Sequence, residues 1–198
     1  VQYRMKKTQK RKKMSAGKYL GQGAYGCVFS PALKCEGNLT RRNHTISKLM
    51  YTKDAEEEFK QKKLFEALNS QQNYFIYPNT LCRPQLPLGP EDQPERCTIK
   101  NPKVIHHFFR PDEIIENRLV TMDNGTRILQ SPYGGVDLMR LKLHPQTIYP
   151  ILASFKGIFE GLIKAHAAGL THNDIKPMNI VTRHLGRGKW KTRMIDLG

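Results

Sequence analysis

The chain has 198 residues, enough for one ordinary domain or two small lobes, and 38% of them are apolar, which suffices for a buried core. Lysine and arginine total 33 against 17 aspartates and glutamates, a formal charge of +16. This excess favours polyanionic partners, although a basic solvated surface explains it equally well, and no apolar run is long enough for a signal peptide or a membrane span.

The N-terminal segment is dominated by basic side chains. Its first thirteen residues contain Arg4, Lys6, Lys7, Lys10, Arg11, Lys12 and Lys13. Because almost nothing apolar stands between these charges, residues 1–16 are predicted to form a flexible basic arm. Such an arm could contact nucleic acid or an acidic protein, or act as a localisation signal.

Residues 19–30 alternate small, apolar and glycine residues, which predicts two strands joined by a tight turn. The turn reads Gly21-Gln22-Gly23-Ala24-Tyr25-Gly26-Cys27-Val28. Glycines at these positions let the backbone approach phosphate groups closely. A dinucleotide-binding fold shares the spacing but opens a helix, whereas this chain continues as a strand. Residues 45–51 predict a third strand, which carries Lys48.

Residues 54–68 predict an amphipathic helix. They contain no glycine or proline, and they begin with acidic residues that suit the positive end of a helix dipole. Glu57 falls on the same helical stripe as Leu64 and Phe65, so we expect Glu57 to face the sheet, with Glu58 as the next candidate.

Residues 69–103 contain six prolines and predict an irregular insertion or lid, apart from a short apolar run at residues 74–77. The chain has four cysteines, Cys27, Cys35, Cys82 and Cys97. They lack the paired spacing of a metal site, so a reducing intracellular compartment is the simplest expected setting.

Two further pairs of strands flank a helix in the second half of the chain. Residues 119–122 and 127–130 predict a hairpin around Asn124-Gly125, because Asn-Gly supplies the positive φ angles of a two-residue turn. Residues 146–168 predict one long, half-buried helix. Residues 180–182 and 190–195 predict a second, smaller hairpin.

The most informative motif follows the long helix and reads Thr171-His172-Asn173-Asp174-Ile175-Lys176-Pro177-Met178-Asn179. It resembles the H-R-D-x-K-x-x-N catalytic loop of protein kinases, with four of the five defined positions matching in register. Asp196-Leu197-Gly198 is similar to their D-F-G motif, and the glycine-rich turn to their G-x-G-x-x-G-x-V. Lysine at position 176 resembles the serine/threonine class rather than the tyrosine class.

The resemblance implies an α+β, protein-kinase-like fold with two lobes. A small antiparallel N-lobe with one helix would span residues 17–135, including the insert at about 69–103, and the first part of a helical C-lobe would span 136–198. The C-lobe would be truncated at the D-F-G-like motif. Asn173 stands where kinases carry the arginine that receives a phosphorylated loop, so activation by loop phosphorylation is not expected.

The resemblance also implies a role for each matching residue of the catalytic motifs. Asp174 would accept the proton of a substrate hydroxyl, and Lys176 would bring a cation to the transferring phosphoryl group. Asn179 and Asp196 would supply the oxygen ligands that Mg²⁺ prefers.

The nucleotide, ATP, would lie between the sheet and the second hairpin. Lys48 would bind its α and β phosphates and pair with Glu57, Val28 and Ile46 would form the roof over adenine, and Val181 would form the floor. The phosphates would be covered by Gly21, Gly23, Ala24, Tyr25 and Gly26.

The linker between the lobes, residues 131–138, would complete the nucleotide site. Pro132 can offer adenine only a carbonyl, so Gly134 would supply the N–H. Asp137 would hold the ribose, or would instead be the N-cap of a helix.

These expectations lead to an ATP- and Mg²⁺-dependent serine/threonine kinase acting on a protein substrate. One alternative is a pseudokinase or structural virion component that keeps the fold as a binding module. Another is a small-molecule kinase, against which Lys176 argues. The insert and the Tyr-Gly-Gly-Val-Asp-Leu linker resemble kinases of large nucleocytoplasmic DNA viruses, which implies an enzyme of the host cytoplasm or nucleus that is also packaged in the virion.

Overall fold

The computed structural model describes residues 17–23, 26–37, 44–69, 71–85, 97 and 125–197. Several predicted features lie outside these residues. They are the basic arm at 1–16, Ala24 and Tyr25 of the glycine-rich turn, most of the proline-rich insert, the strand at 119–122, and Gly198.

Five strands form an antiparallel sheet in the order β1-β2-β3-β5-β4. They are β1 (Lys18–Gln22), β2 (Gly26–Ser30), β3 (Thr45–Tyr51), β4 (Thr80–Cys82) and β5 (Thr126–Pro132). Strand β3 pairs with β5 along its whole length, from Thr45 opposite Pro132 to Tyr51 opposite Thr126. Because β3 is the central strand of the sheet, Lys48 can contact side chains from other parts of the chain on the face that β3 presents.

Strand β4 corrects the expectation that residues 69–103 are irregular outside 74–77. Thr80–Cys82 pairs with residues 128–130 of β5. The pairing is possible because this stretch lies between Pro78 and Pro84, so neither proline removes a hydrogen-bond donor from it.

The outer face of this sheet is closed by covalent links. Cys27 is bonded to Cys97, and Cys35 to Cys82, so all four cysteines of the chain are paired. Cysteines far apart in sequence thus meet across the sheet. This pairing fits poorly with the reducing intracellular compartment expected above, because structural disulfides are typical of oxidising compartments. Around them a core cluster comprises Cys27, Phe29, Leu33, Leu49, Cys97 and Ile128.

The inner face packs against helix α1 (Thr52–Leu68). Ala55 and Phe65 are the buried residues of this helix, and Ala55 packs with Met50 and Leu129 of the sheet. Leu64 is 53% exposed, so the buried stripe is rotated from the predicted one. The helix therefore presents Glu58, which lies three residues after Ala55, to the sheet.

A second, three-stranded sheet follows, in the order β6-β7-β8. Its strands are β6 (Val136–Asp137), β7 (Ile180–Gly186) and β8 (Lys189–Met194). The last two form the predicted hairpin. Between β6 and β7 lie helices α2 (Pro145–Ser154) and α3 (Lys156–Ala167).

The predicted single helix over 146–168 is thus divided at Phe155. Pro150 lies inside α2 and offers no N–H to the helical ladder. The Ser154 hydroxyl donates to the Ile151 carbonyl at 2.6 Å, and the Phe155 N–H bonds to Leu152, three residues back. A tightened last turn ends α2 and lets α3 start at a new angle.

The apolar run at 74–77 joins the two sheets. Phe75 and Tyr77 are buried in a cluster with Phe65 of α1, Ile158 of α3 and Met194 of β8. Backbone hydrogen bonds of 2.8 Å from Ile76 N–H to Met194 and 3.0 Å from Met194 N–H to Tyr74 fix the connection. In the part of the chain that the structure describes, no helix has both the length and the apolar character needed to cross a membrane.

Candidate functional site

The site lies on the inner face of the five-stranded sheet, where Lys48 projects from β3. Lys48 is paired with Val28 on one side and Leu129 on the other. Directly opposed residues share a face, and alternate residues of a strand do too, so Val28, Ile46 and Lys48 point to the same side. All three are half-buried.

Two carboxylates from distant parts of the chain converge on the Lys48 ammonium. The Nζ atom lies 2.7 Å from Glu58 Oε2 and 3.1 Å from Asp196 Oδ1. Burial opposes the charge and lowers the pKa of Lys48, but attraction to Glu58 and Asp196 outweighs burial, and the pKa is raised. Burial, together with Asp196, raises the pKa of Glu58 against the effect of Lys48. The ammonium is therefore held as a fixed cation.

The predicted partner, Glu57, is exposed and does not take this position. The reason is the phase of α1: the stripe through Ala55 and Phe65 faces the core, and Glu58 stands on that side. Glu58 was the second choice from the sequence. The signal that could have ranked it first is its spacing of three residues from the small Ala55.

A second polar cluster lies in the loop before β7. Asp174 Oδ2 accepts hydrogen bonds from Lys176 Nζ at 2.7 Å and from Asn179 Nδ2 at 2.8 Å. Asn179 Nδ2 also donates to the Asp174 carbonyl at 3.0 Å. The bond from Lys176 is the main cause that lowers the pKa of Asp174, with Asn179 adding to it. Asp174 is therefore present as a carboxylate at neutral pH.

Backbone and histidine contacts tie Asp196 to this loop. Ile195 N–H donates to the Asn179 carbonyl at 2.9 Å, and His172 Nε2 lies 3.1 Å from the Ile195 carbonyl. Asp196 itself has a φ of 54°, in the left-handed region, which aspartate tolerates better than most residues. His172 is only 3% exposed, and its role here was not predicted from the sequence, although it lies within the motif.

The linker after β5 offers an open backbone edge. Pairing with β4 ends at Gln130, and Tyr133 N–H turns towards β3, where it donates to the His44 carbonyl at 2.8 Å. Because alternate residues of a strand direct their polar backbone groups to opposite sides, the carbonyl of Pro132, the last residue of β5, points away from β3.

Gly134 and Gly135 are both required by close packing. A Cβ added to Gly134 would lie 2.5 Å from Val181 Cγ2 and 2.6 Å from Ile76 Cδ1. Gly135 has a φ of 118°, and a Cβ there would overlap the Thr182 carbonyl. Val181 thus packs directly beneath the linker, beside Ile76. Val181 was expected in the site from the sequence, whereas Ile76 was not.

The glycine-rich turn lies at the mouth of the site. Gly23 N–H donates to the Gly26 carbonyl at 2.9 Å, and a Cβ on Gly26 would lie 2.7 Å from Met50 Cγ. Gly21 faces Arg140, whose Nη2 would lie 2.9 Å from an added Cβ. Ala24 and Tyr25, predicted in the same turn, lie outside the described residues.

Arg140 is a residue that sequence reasoning missed. Its Nη1 donates to the Leu20 carbonyl at 3.2 Å, and its Nε lies 3.6 Å from Asp137 Oδ2. Asp137 Oδ1 also accepts from the Arg140 N–H at 3.0 Å, the geometry of a side chain that caps a turn. Asp137 therefore caps a turn rather than the helix considered above, and its side chain also lies at the mouth of the site.

The chain is similar to known proteins only at the level of distant solved structures. No protein-family model matches the chain, and no curated protein matches it. Among solved structures, a double mutant of the PknI kinase domain of Mycobacterium tuberculosis is similar, with 16% sequence identity and a TM-score of 0.46. The alignment covers 91% of this chain and 58% of that chain. A likeness at this level is too distant to assign a function.

Proposed function

We propose that this chain is the nucleotide-binding and catalytic-loop part of a serine/threonine protein kinase, which transfers the γ-phosphoryl group of ATP to a protein hydroxyl. The observation that carries the proposal is the convergence of Lys48, Glu58 and Asp196. Lys48 and Asp196 are 148 residues apart in the sequence, so only the fold brings them together. A lysine held by two carboxylates beside a glycine-rich turn provides a cation for a polyphosphate.

The positive charge of Lys48 supports a nucleotide whose phosphates lie beside the glycine-rich turn. Lys48 is kept protonated and positioned by Glu58, so it can bind phosphate oxygens without first being ordered. Gly21 and Gly26 carry no side chain that would separate the backbone of β1 and β2 from the phosphates. Val28 and Ile46, on the same face, would cover an aromatic base.

The adenine ring suits the open edge of the linker. Adenine presents one donor and one acceptor in its plane, and Pro132 offers a carbonyl while Gly134 would offer an N–H. Val181 lies directly below Gly134 and would support the lower face of the ring. Asp137 and Arg140 lie at the end of the linker, where a ribose would follow the base.

The catalytic loop supplies the groups for the transfer itself. The oxygen of a substrate hydroxyl attacks the γ phosphorus, the bond from that phosphorus to the bridging oxygen breaks, and ADP leaves with the electron pair. The hydroxyl proton passes to the Asp174 carboxylate. Lys176, 2.7 Å from Asp174, offers a cation to the transferring group.

The residues present fit a magnesium ion shared with phosphate oxygens. Both hydrogen bonds of the Asn179 side chain given above are donated by Nδ2, so the carbonyl oxygen Oδ1 is the atom that would bind a metal. Asp196 uses Oδ1 towards Lys48, and its side chain is 44% exposed. Within the described ranges no group of three or more histidines, cysteines, aspartates or glutamates forms a metal site by itself. Bound Mg²⁺ would neutralise charge on the triphosphate.

Calorimetry of Mg-ATP binding tests the proposal. We expect Lys48→Met and Asp196→Ala each to weaken Mg-ATP binding at least tenfold, because Lys48 would bind the phosphates directly and Asp196 would hold the Mg²⁺ that neutralises them. Lys53→Met is the matched control, since Lys53 is an exposed lysine at the start of α1. Equal affinities in the parent chain, the Lys48 variant and the control would sink the proposal.

Asp174→Asn separates transfer from binding. We expect this variant to bind Mg-ATP within about threefold of the parent, or less than 1 kcal/mol, and to lose phosphorylation of a serine-containing protein. A parent chain that binds ATP but transfers nothing to protein or small-molecule acceptors would instead support the binding-module alternative.

The narrower expectations remain part of the proposal. They are the relation to kinases of large DNA viruses, a place in the host cytoplasm or nucleus and the virion, and contact of residues 1–16 with nucleic acid or acidic protein. The two disulfides now weigh against a strongly reducing compartment, since such links rarely persist there. Labelling of free thiols in protein isolated from its natural source would measure whether the four cysteines are paired there.

A further inference from the structure

We infer that the back of the linker carries a second site, built by Arg183, Lys191 and Arg193, which binds a phosphate-type oxyanion. This site shares no residue with the nucleotide site, because its three side chains contact Tyr133, Asn73 and Gln72, and it does not rest on the proposed function. The argument starts from the register of the second hairpin, and its ligand class follows from the charge and hydrogen bonding of the three side chains.

The three cations share one face of the hairpin formed by β7 and β8. Arg183 is directly opposite Lys191, and Arg193 is directly opposite Val181. Because directly opposed and alternate residues share a face, Arg183, Lys191 and Arg193 all lie on the side of Val181. Like charges held this close repel one another unless an anion lies between them.

Burial and the neighbouring positive charges lower the pKa values of Lys191 and Arg193. Burial is the main cause that lowers the pKa of Lys191, and the charge of Arg193 lowers it further. Burial also lowers the pKa of Arg193, with a contribution from Arg183. Within the described part of the chain, none of the three forms an ion pair with a carboxylate; the ion pairs found there involve Lys48, Lys62, Arg140, Lys156 and Lys176.

Of the three cations, Arg193 gives the clearest indication of an anionic ligand. It is only 8% exposed, and its Nε is buried without a hydrogen-bond partner. Its Nη1 makes a long contact of 3.4 Å to the Gln72 carbonyl. A buried guanidinium with an unpaired donor is costly, and a phosphate group, two of whose oxygens can accept parallel N–H bonds from one guanidinium, is a ligand that arginine matches well.

The remaining contacts show how an anion would be received. Arg183 Nη1 lies 3.4 Å from the Tyr133 carbonyl, and its guanidinium carbon lies 6.0 Å from the Tyr133 ring centre. Lys191 Nζ donates to Asn73 Oδ1 at 2.7 Å. Arg183 and Lys191 are both half-buried, so they form the accessible rim above the buried Arg193. The carbonyl and amide partners are neutral, which leaves the positive charge of all three cations uncompensated.

Binding of two probes tests the site in a background carrying Lys48→Met and Asp196→Ala, which removes nucleotide-site phosphate binding. The probes are inorganic phosphate and a short phosphoserine peptide without other charges. We expect at least one of them to bind, and Arg183→Gln combined with Lys191→Gln to weaken it at least tenfold. The matched control, Arg187→Gln with Lys189→Gln, removes two exposed charges from the same hairpin and should change binding less than twofold.

Each outcome has a defined meaning. Peptide binding that is lost in the test variant identifies a phosphorylated side chain as the ligand, whereas binding of inorganic phosphate alone identifies free phosphate. Equal losses in the test and control variants, equal binding of a peptide with glutamate in place of phosphoserine, or no binding of either probe would overturn the inference. In NMR spectra that resolve arginine side chains, the chemical shift of the Arg193 Nε–Hε group should change when the probe that binds is added. An arginine with a purely structural role would show no such change.

Discussion

The two faces of the five-stranded sheet are made from alternate residues of the same strands, but they are closed in different ways. On the outer face Cys27, Phe29 and Leu49 are fully buried, and disulfides fasten other segments over them. On the inner face Ile46 and Lys48 are half-buried, and Lys48 contacts carboxylates from α1 and from the segment after β8. Neighbouring residues of one strand therefore have separate tasks, so their variants should affect different measurements.

Breaking the outer face should have the largest effect. Replacing Cys27 and Cys97 by serine opens a link between positions 70 residues apart, which on chain-entropy grounds contributes about 4 kcal/mol to the free energy of unfolding. Urea unfolding with and without the substitutions measures the loss. Thiol alkylation followed by mass spectrometry is the control, because the parent should show no free cysteine. An unchanged unfolding midpoint after reduction of the parent would contradict a cross-linked outer face.

A second test compares one serine on each face. Ser47 is fully buried, and its hydroxyl accepts a hydrogen bond from Leu33 N–H at 2.9 Å. Ser47→Ala leaves that N–H without a partner and should destabilise the protein by about 2 kcal/mol. Ser131, opposite Ile46 on the inner face, is the matched control. Ser131→Ala should cost less than about 0.5 kcal/mol, and equal losses would remove the distinction between the faces.

On the inner face, Glu58→Gln sharpens the comparison through ligand binding. The substitution removes the charge that holds Lys48 at 2.7 Å and leaves only Asp196 to position the ammonium. We expect Mg-ATP affinity to fall about tenfold, or roughly 1.4 kcal/mol, by calorimetry. Glu57→Gln removes an exposed charge one position away and should leave affinity unchanged. A greater loss from Glu57→Gln would restore the pairing first expected from the sequence.

Much of the sheet could be predicted because its signals are local. Glycine spacing indicates the turn between β1 and β2, and turn residues at 186–188 indicate the hairpin of β7 and β8. Strand β4 was missed because three residues between prolines carry too little pattern, and only pairing with β5 makes them a strand. The break at Phe155 was missed because Pro150 is tolerated in an apolar helical pattern, whereas its consequence depends on the last turn of α2.

The site could be predicted as a set of residues but not as a set of contacts. Lys48, Asp174 and Asp196 stand in motifs whose chemistry is readable from side-chain type. The choice between Glu57 and Glu58 depends on the rotation of α1, which is set by the packing of Ala55 and Phe65 rather than by hydrophobic spacing alone. Disulfides between distant cysteines and the contact of Arg140 with Leu20 join segments that only the tertiary fold brings together.

The smallest effect concerns the mouth of the inner face. Arg140 reaches from the second sheet's side to the Leu20 carbonyl at 3.2 Å, but its side chain is 64% exposed, so water competes for the same contacts. Arg140→Ala should weaken Mg-ATP binding by no more than about threefold, or roughly 0.6 kcal/mol. Lys142→Ala, which removes an exposed charge two residues away, should leave it unchanged. A tenfold loss in the Arg140 variant alone would mean that Arg140 binds the nucleotide directly, and that the inner face is closed at its mouth by this side chain rather than by the glycine-rich turn.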